Sequence, residues 1–207
     1  MRNLFLSICL CFTIVCNCQS NSTGHNKKVG GPCQGCEAIF EYGDKVLKDT
    51  DTLPDFSKTS PKLKLSGTVY QKNGKTPAKN VILYFYQTNR KGIYPKKGDE
   101  KGWGKRHGYL RGWVKTNSVG HYTIYTFRPG AYPNRNTPEH IHITVKEPDK
   151  NEYYIEDVLF DDDVLLTLSK RKDLKQRGGS GIVNPVLKNG ILTVSRDIIL
   201  GHNIPNY

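Results

Sequence analysis

The stretch "TPEHIHITV" carries two histidines one residue apart, His140 and His142, at the head of a β-branched run. In an extended strand residues i and i+2 point to the same face, so His140, His142 and Thr144 share one side while Ile141, Ile143 and Val145 share the other. The isoleucines supply a packing face. The imidazoles gain little from an apolar core and converge well on a metal ion. Zinc enzymes and several non-haem iron folds use such an H-x-H pair, and surface histidines also fall at this spacing, so the pair alone leaves both readings open. Further ligands have to come from elsewhere. His25, His107, His121 and His202 are scattered, and Glu139 faces away from both histidines, so no two-histidine, one-carboxylate set is evident. The nearest donors upstream are tyrosines. Tyr132 follows a Pro-Gly turn eight residues before His140, and Tyr94 lies in the loop "TNRKGIYPKKG".

Both pairs have to be held by β-structure. Strand signals dominate from residue 62 onward: "LKLSGTVYQ", "NVILYFYQT", "GYLRGWVKT", "HYTIYTF", "HIHITVK", "YYIEDVLF" and "ILTVSRDIIL". In "LKNGILTV" the pair Asn189-Gly190 separates two such runs, a two-residue hairpin signal. Long helical periodicity and internal repeats are absent. The expected architecture is an all-β sandwich with long loops and an irregular N-terminal arm, "CEAIFEYGDKVL", holding at most a short helix. A chain of 207 residues has room for one domain with a real core, placed at residues 32–207.

The opening "MRNLFLSICLCFTIVCNC" has a basic Arg2 and an apolar run over residues 4–15, too short to span a bilayer as a helix. It reads as a secretory signal over residues 1–18, followed by a polar tether at residues 19–31. Cys16-Asn17-Cys18 suits either ordinary signal cleavage or a lipid-modified first residue. The expected location is therefore exported: periplasmic, extracellular or lipid-anchored at the cell envelope. Four of the six cysteines belong to that segment, leaving Cys33 and Cys36 as a C-x-x-C. After export a local disulfide is the expected state; in a reducing compartment the same spacing would suggest redox or zinc chemistry. The formal charge is +12, but acids are interspersed and no long like-charge block occurs. "LSKRKDLKQRGG" lacks interleaved aromatics, so nucleic acid is not an expected partner. Residues 90–115 carry nine Lys or Arg against Asp99 and Glu100, a solvated loop or a basic rim suited to an anionic aromatic.

Taken in order, these pieces resemble the intradiol ring-cleavage dioxygenases, the family of the catechol and protocatechuate dioxygenases. "SGTVYQKNGKTPAKNVILYFYQTNRKGIY" resembles the opening strand pair, which ends in a Gly-x-Tyr bearing the first iron ligand. "GWVKTNSVGHYTIYTFRPGAYP" resembles the central hairpin and the turn to the second tyrosine, and "TPEHIH" stands where the two histidine ligands lie. The separation of 38 positions between Tyr94 and Tyr132 fits that arrangement. The resemblance runs over residues 66–166 and implies that Tyr94, Tyr132, His140 and His142 bind one mononuclear Fe(3+). Phenolate is a hard anionic donor, and a trivalent ion holds tyrosine deprotonated well below its free pKa of about 10. The implied partners are a small aromatic diol and O2. The diol displaces Tyr94, which takes up a catechol proton, and the ring opens between its two hydroxyl-bearing carbons to a muconate-type diacid.

Two departures stand out. Thr137 occupies the position three residues before the first histidine, where the family has an arginine over the substrate ring; Arg135 reaches that place only if the loop curls. A glutamine expected on the later strand is also missing, with Glu156 or Asp157 in its stead. Tyr109 is the rival to Tyr94 as first ligand and otherwise a pocket wall; His107 and Arg111 are further candidates for substrate contact. Trp103 and Trp113 read first as packing residues. The helical segment through which the family usually dimerises is not evident, and the sequence sets no oligomeric state. Two other classes stay open: an exported iron-binding sandwich without turnover, and a zinc hydrolase built on the H-x-H pair.

Overall fold

A computed structural model describes residues 28–207. The export signal expected at residues 1–18, and the tether up to residue 27, lie outside the described residues. The end of that tether is already seated on the body: Val29 N donates to Asn151 Oδ1 at 3.0 Å and Gly30 N to Pro205 O at 2.7 Å. Among the described residues no helix is long and apolar enough to cross a membrane.

Two sheets form the body. The first runs in the order β1 (Thr50–Thr52), β5 (His121–Phe127), β2 (Lys62–Tyr70), β11 (Ile191–Ser195) and β10 (Val186–Lys188), with β12 (Ile198–Ile199) also on β2. The second runs β4 (Arg111–Lys115), β3 (Ile82–Gln87), β6 (His140–Lys146), β8 (Val158–Phe160) and β9 (Ile182–Val183), with β7 (Tyr153–Tyr154) on β6. A 3-10 helix at Cys36–Phe40 and two short helices, α1 (Gly104–His107) and α2 (Leu168–Asp173), complete the described elements. The architecture is the expected all-β sandwich.

Alternation in the strands makes the core. Leu63 and Leu65 on β2 and Ile124 on β5 face Leu83 and Phe85 on β3 and Ile141, Ile143 and Val145 on β6, all essentially inaccessible to solvent. Each such side chain contributes roughly 1.5–3 kcal/mol relative to exposure. The other face of the second sheet is roofed as well. Tyr84 and Trp113 there pack under Ala38 and Ile39 of the N-terminal arm, and Trp113 Nε1 donates to Ala38 O at 3.2 Å. The Asn189-Gly190 turn joins β10 to β11 with both residues at positive φ, 49° and 78°, as a hairpin of this type requires.

Two expected strands are each divided. "YYIEDVLF" breaks between β7 and β8 because Glu156 N turns to Arg177 O, at 2.9 Å, instead of continuing the ladder with β6. "ILTVSRDIIL" breaks at Arg196 and Asp197, where Asp197 Oδ1 accepts from Thr68 N of β2 at 2.8 Å.

Candidate metal centre

The roofed outer face of the second sheet is where the H-x-H pair emerges. Because Ile141 and Ile143 are drawn into the core, His140 and His142 project together on the opposite side of β6. His140 Nδ1 lies 2.7 Å from Pro138 O, and His142 Nδ1 lies 3.0 Å from Asp157 Oδ1. Both partners are acceptors, so Nδ1 carries a proton in each ring, and Nε2 is the atom each ring presents to the cluster. Those two Nε2 atoms are 3.1 Å apart.

The tyrosines close the cluster from two loops. Tyr132 Oη lies 3.1 Å from His140 Nε2 and 3.3 Å from His142 Nε2. Tyr94 Oη lies 2.7 Å from His142 Nε2 and shares a hydrogen bond with Tyr132 Oη. The Tyr132 ring stands edge-on to the His140 ring, 5.0 Å between centroids. Sequence-distant loops reach one point because they are laced together. Thr88 Oγ1 donates to Gly130 O at 2.7 Å, Gly130 N to Asn89 O at 2.9 Å, and Arg90 to the Pro129 carbonyl at 2.8 Å. Where they cross, Gly92 has φ +73° and a Cβ there would sit 1.8 Å from Ala131 O, so only glycine allows the approach.

Electrostatics argue for a cation at this point. Burial raises the Tyr94 hydroxyl well above the ordinary tyrosine range, reinforced by its bond to Tyr132. Burial also raises Tyr132, against the opposing effect of its bond to Tyr94. Burial lowers His140, with repulsion from His142 next. Burial thus disfavours charge on both phenols and on His140, while the two imidazole Nε2 atoms face each other at hydrogen-bond distance. Donor separations of 2.7–3.3 Å are those of atoms around one ion at roughly 2.0–2.1 Å with angles near 80–110°. A strongly charged cation would turn the phenols into phenolates and bind the facing Nε2 atoms. Two hard oxygens and two imidazole nitrogens thus fit a trivalent first-row ion.

Asp157 is the site residue whose role the sequence did not reveal. Its burial would raise the carboxyl, but the pull of His142, by charge and hydrogen bond, and of His140 holds it below the usual carboxylate range. His140, His142 and Asp157 offer ligand atoms within 4.8 Å of one another. Asp157 nevertheless bonds the far nitrogen of His142, so it orients a ligand ring and does not complete the cluster.

A cavity of about 250 Å³ opens beside the cluster, lined by Tyr94, Tyr132, His142, Tyr86, His107, Trp103, Arg106 and Gln34. It is roomy enough for a single aromatic ring. His107 lines this cavity. Its Nδ1 pairs with Tyr84 Oη at 2.9 Å, its ring stacks on Tyr86 at 3.9 Å, and burial lowers its pKa to about 4, so it is neutral.

Other expected contacts lie elsewhere. Tyr109 Oη donates to Asp55 Oδ2 at 2.7 Å and Lys97 covers its ring, so it neither joins the ligand cluster nor lines this cavity. Gly108, at φ +69°, turns the chain there and sends Tyr109 toward the residue-55 loop. Arg111 is clamped to Glu41 at 2.5 Å; Glu41 also accepts from Trp103 N at 2.8 Å, so Arg111 braces the wall from behind. The loop after Tyr132 does curl, with Asn134 at φ 57°, and brings the exposed Arg135 over the Tyr132 ring at 5.8 Å from its centroid, outside the residues lining the cavity. Thr137 is half-buried and likewise not a lining residue. Trp103 lines the cavity and Trp113 packs beneath it. Cys33 and Cys36 are joined in a disulfide.

A family model described as dioxygenase matches residues 39–177, and the chain belongs to the intradiol dioxygenase family. Among solved structures it is similar to the dioxygenase domain of a dioxygenase carbohydrate-binding protein fusion from Streptomyces sp. SirexAA-E, with 22% identity and a TM-score of 0.52 over 76% of this chain and 94% of that one. It is also similar to hydroxyquinol 1,2-dioxygenase from Pseudomonas putida DLL-E4 (16%, TM-score 0.54, 75% of this chain and 62% of that one). A third is 3-chlorocatechol 1,2-dioxygenase from Rhodococcus opacus 1CP (15%, TM-score 0.56, 84% and 73%). The chain spans less than two thirds of the hydroxyquinol enzyme's length. No curated protein matches the sequence.

Proposed function

We propose that this protein is a ferric intradiol dioxygenase that opens a catechol-type ring between its hydroxyl-bearing carbons, adding O2 to give a muconate-type diacid. The observation that carries the reading is the meeting of Tyr94 Oη, Tyr132 Oη, His140 Nε2 and His142 Nε2 within hydrogen-bond distance at the edge of a ring-sized cavity. Those four residues would hold the iron. When bound, ferric iron would draw electron density from a chelated diol and open the ring to attack by O2.

The chain's own residues supply the rest. His140 and His142 keep their Nε2 atoms forward because Pro138 O and Asp157 hold the Nδ1 protons. Tyr94 rides on a loop, in contrast to the strand-borne histidines, and its Oη would accept a diol proton. Tyr86 stacks on His142 at 4.3 Å and on His107 at 3.9 Å, giving a flat aromatic floor to the cavity. Neutral His107 leaves that floor uncharged. Arg135 lies over the Tyr132 ring and outside the cavity lining, so it would act on the site only through Tyr132. An exported location fits the same picture, since the disulfide calls for an oxidising compartment.

The test is turnover with labelled oxygen. The iron-loaded chain is supplied with catechol, protocatechuate or hydroxyquinol under 18O2, and O2 uptake and product mass are followed. The expected result is uptake with both labelled atoms in a ring-opened diacid. Bound iron with no uptake on any of the diols would favour an iron-binding module without turnover.

A further inference from the structure

The C-x-x-C segment has no part in the chemistry above, yet it lies against the site. We infer that the disulfide-closed loop of residues 33–36 is a wall of the substrate site, and that Gln34 is its substrate-contacting residue, an amide that hydrogen-bonds a polar group of the bound diol. The inference rests on the functional reading just given. Two cavities flank the histidines. One, of about 250 Å³, holds Tyr94 and Tyr132; the other, of about 260 Å³, is bounded by Thr144, Tyr154 and Asp157. Gln34, Tyr86 and His142 line both. The two hollows therefore adjoin on either side of Tyr86 and His142, and Gln34 borders both.

Gln34 is available for a ligand. Its side chain is exposed, and no hydrogen bond to it is found among the described residues. The loop carrying it is seated firmly. Gly35 has φ +89°, and a Cβ there would fall 2.9 Å from His107 Nε2 and 3.3 Å from Trp103, so the backbone rests directly on the far wall of the first cavity. Cys36 is buried and begins the 3-10 helix whose Ala38 and Ile39 cover Tyr84 and Trp113. Cys33 is held to that anchor by the disulfide. A diol with its oxygens toward the tyrosines has the remainder of its ring in the cavity that Gln34 also lines, where an amide can both donate and accept. The placement of that amide depends on the covalent link, which restricts the loop on both sides of residue 34.

The experiment uses the full chain loaded with iron and titrated with 4-nitrocatechol in the visible range, together with turnover on whichever diol the wild type cleaves. Gln34→Ala should raise the 4-nitrocatechol Kd and the diol KM together, by roughly three- to tenfold for one lost hydrogen bond, more than it lowers kcat, with iron content and the iron-protein absorption retained. Gln34→Asn should recover part of the loss, and the double variant Cys33→Ser/Cys36→Ser should reproduce it. Kd and KM unchanged in Gln34→Ala would overturn the inference alone. A wild type that carries iron but binds no 4-nitrocatechol would overturn the functional reading and the inference with it. If the cysteine variant does not fold, the two Gln34 variants decide the matter.

Discussion

Replacing Asp157 with alanine should weaken ferric binding without touching a ligand. The side chain makes one hydrogen bond to the site, from His142 Nδ1 to Oδ1 at 3.0 Å, and it is held ionised by the histidines it faces. A hydrogen bond to a charged group is worth roughly 1.5–3 kcal/mol. The carboxylate is about one third exposed, at 34%, so solvent screening favours the lower part of that range, about 1.5–2 kcal/mol. This corresponds to roughly a 10- to 30-fold loss of iron affinity, within the span seen when the partner of a metal-bound histidine is removed. Asp157→Asn keeps an acceptor but loses the charge and should cost roughly fivefold. Competition against a graded series of nitrilotriacetate concentrations, read by protein-bound iron, measures both. An alanine variant within twofold of wild type would refute the argument that Asp157 sets the orientation of His142.

Gly92→Ala should be disruptive at a position that touches no ligand atom. Its Cβ would overlap Ala131 O at 1.8 Å in a positive-φ conformation, so the variant should lose roughly 2 kcal/mol or more in urea unfolding and bind iron poorly. Tyr109→Phe should cost about 1 kcal/mol of stability through its lost bond to Asp55 while leaving iron content and turnover at wild-type levels; a collapse of turnover would mean that Tyr109, and not Tyr94, is the first ligand. His107 links stability to pH. Burial, then repulsion from His142 and Arg111, lowers its pKa to about 4 against about 6.5 unfolded, so the unfolded chain binds more protons between those values. Its contribution is full above pH 6.5 and is lost as pH falls to about 4, a change of about 3 kcal/mol. Urea unfolding of metal-free wild type at pH 7.5 and 4 should show this loss, and the same pair of measurements on His107→Gln should lack it.

Period-two patterning made the histidine strand legible, because Ile141, Ile143 and Val145 leave His140 and His142 no other face. The hairpin at Asn189-Gly190 was legible for a similarly local reason, the positive φ both residues adopt. Tyr94 and Tyr132 were reached through the family resemblance; what brings them together, the crossing of Gly92 against Ala131, is a contact between segments about 40 positions apart. Asp157 was visible as a departure from the family but not as a partner of His142. That role depends on β8 pairing with β6, with His140 opposite Leu159 and Ile141 opposite Val158. The alternation of Tyr84 and Tyr86 with Leu83 and Phe85 was a missed signal, since aromatic residues on both faces of β3 mean that both faces are covered. What covers the outer one is the N-terminal arm, more than 40 positions upstream, and no local pattern announces that Gln34 returns to the cavity.

Phenolate coordination is the claim on which all of this depends, and the visible spectrum reads it directly. The iron-loaded wild type should carry one ferric ion and a broad tyrosinate-to-iron absorption that colours it red-brown. Tyr132→Phe should diminish that band, and Tyr94→Phe combined with Tyr132→Phe should abolish it. Stoichiometric ferric iron in a colourless wild type, or a band undiminished in the double variant, would contradict the account.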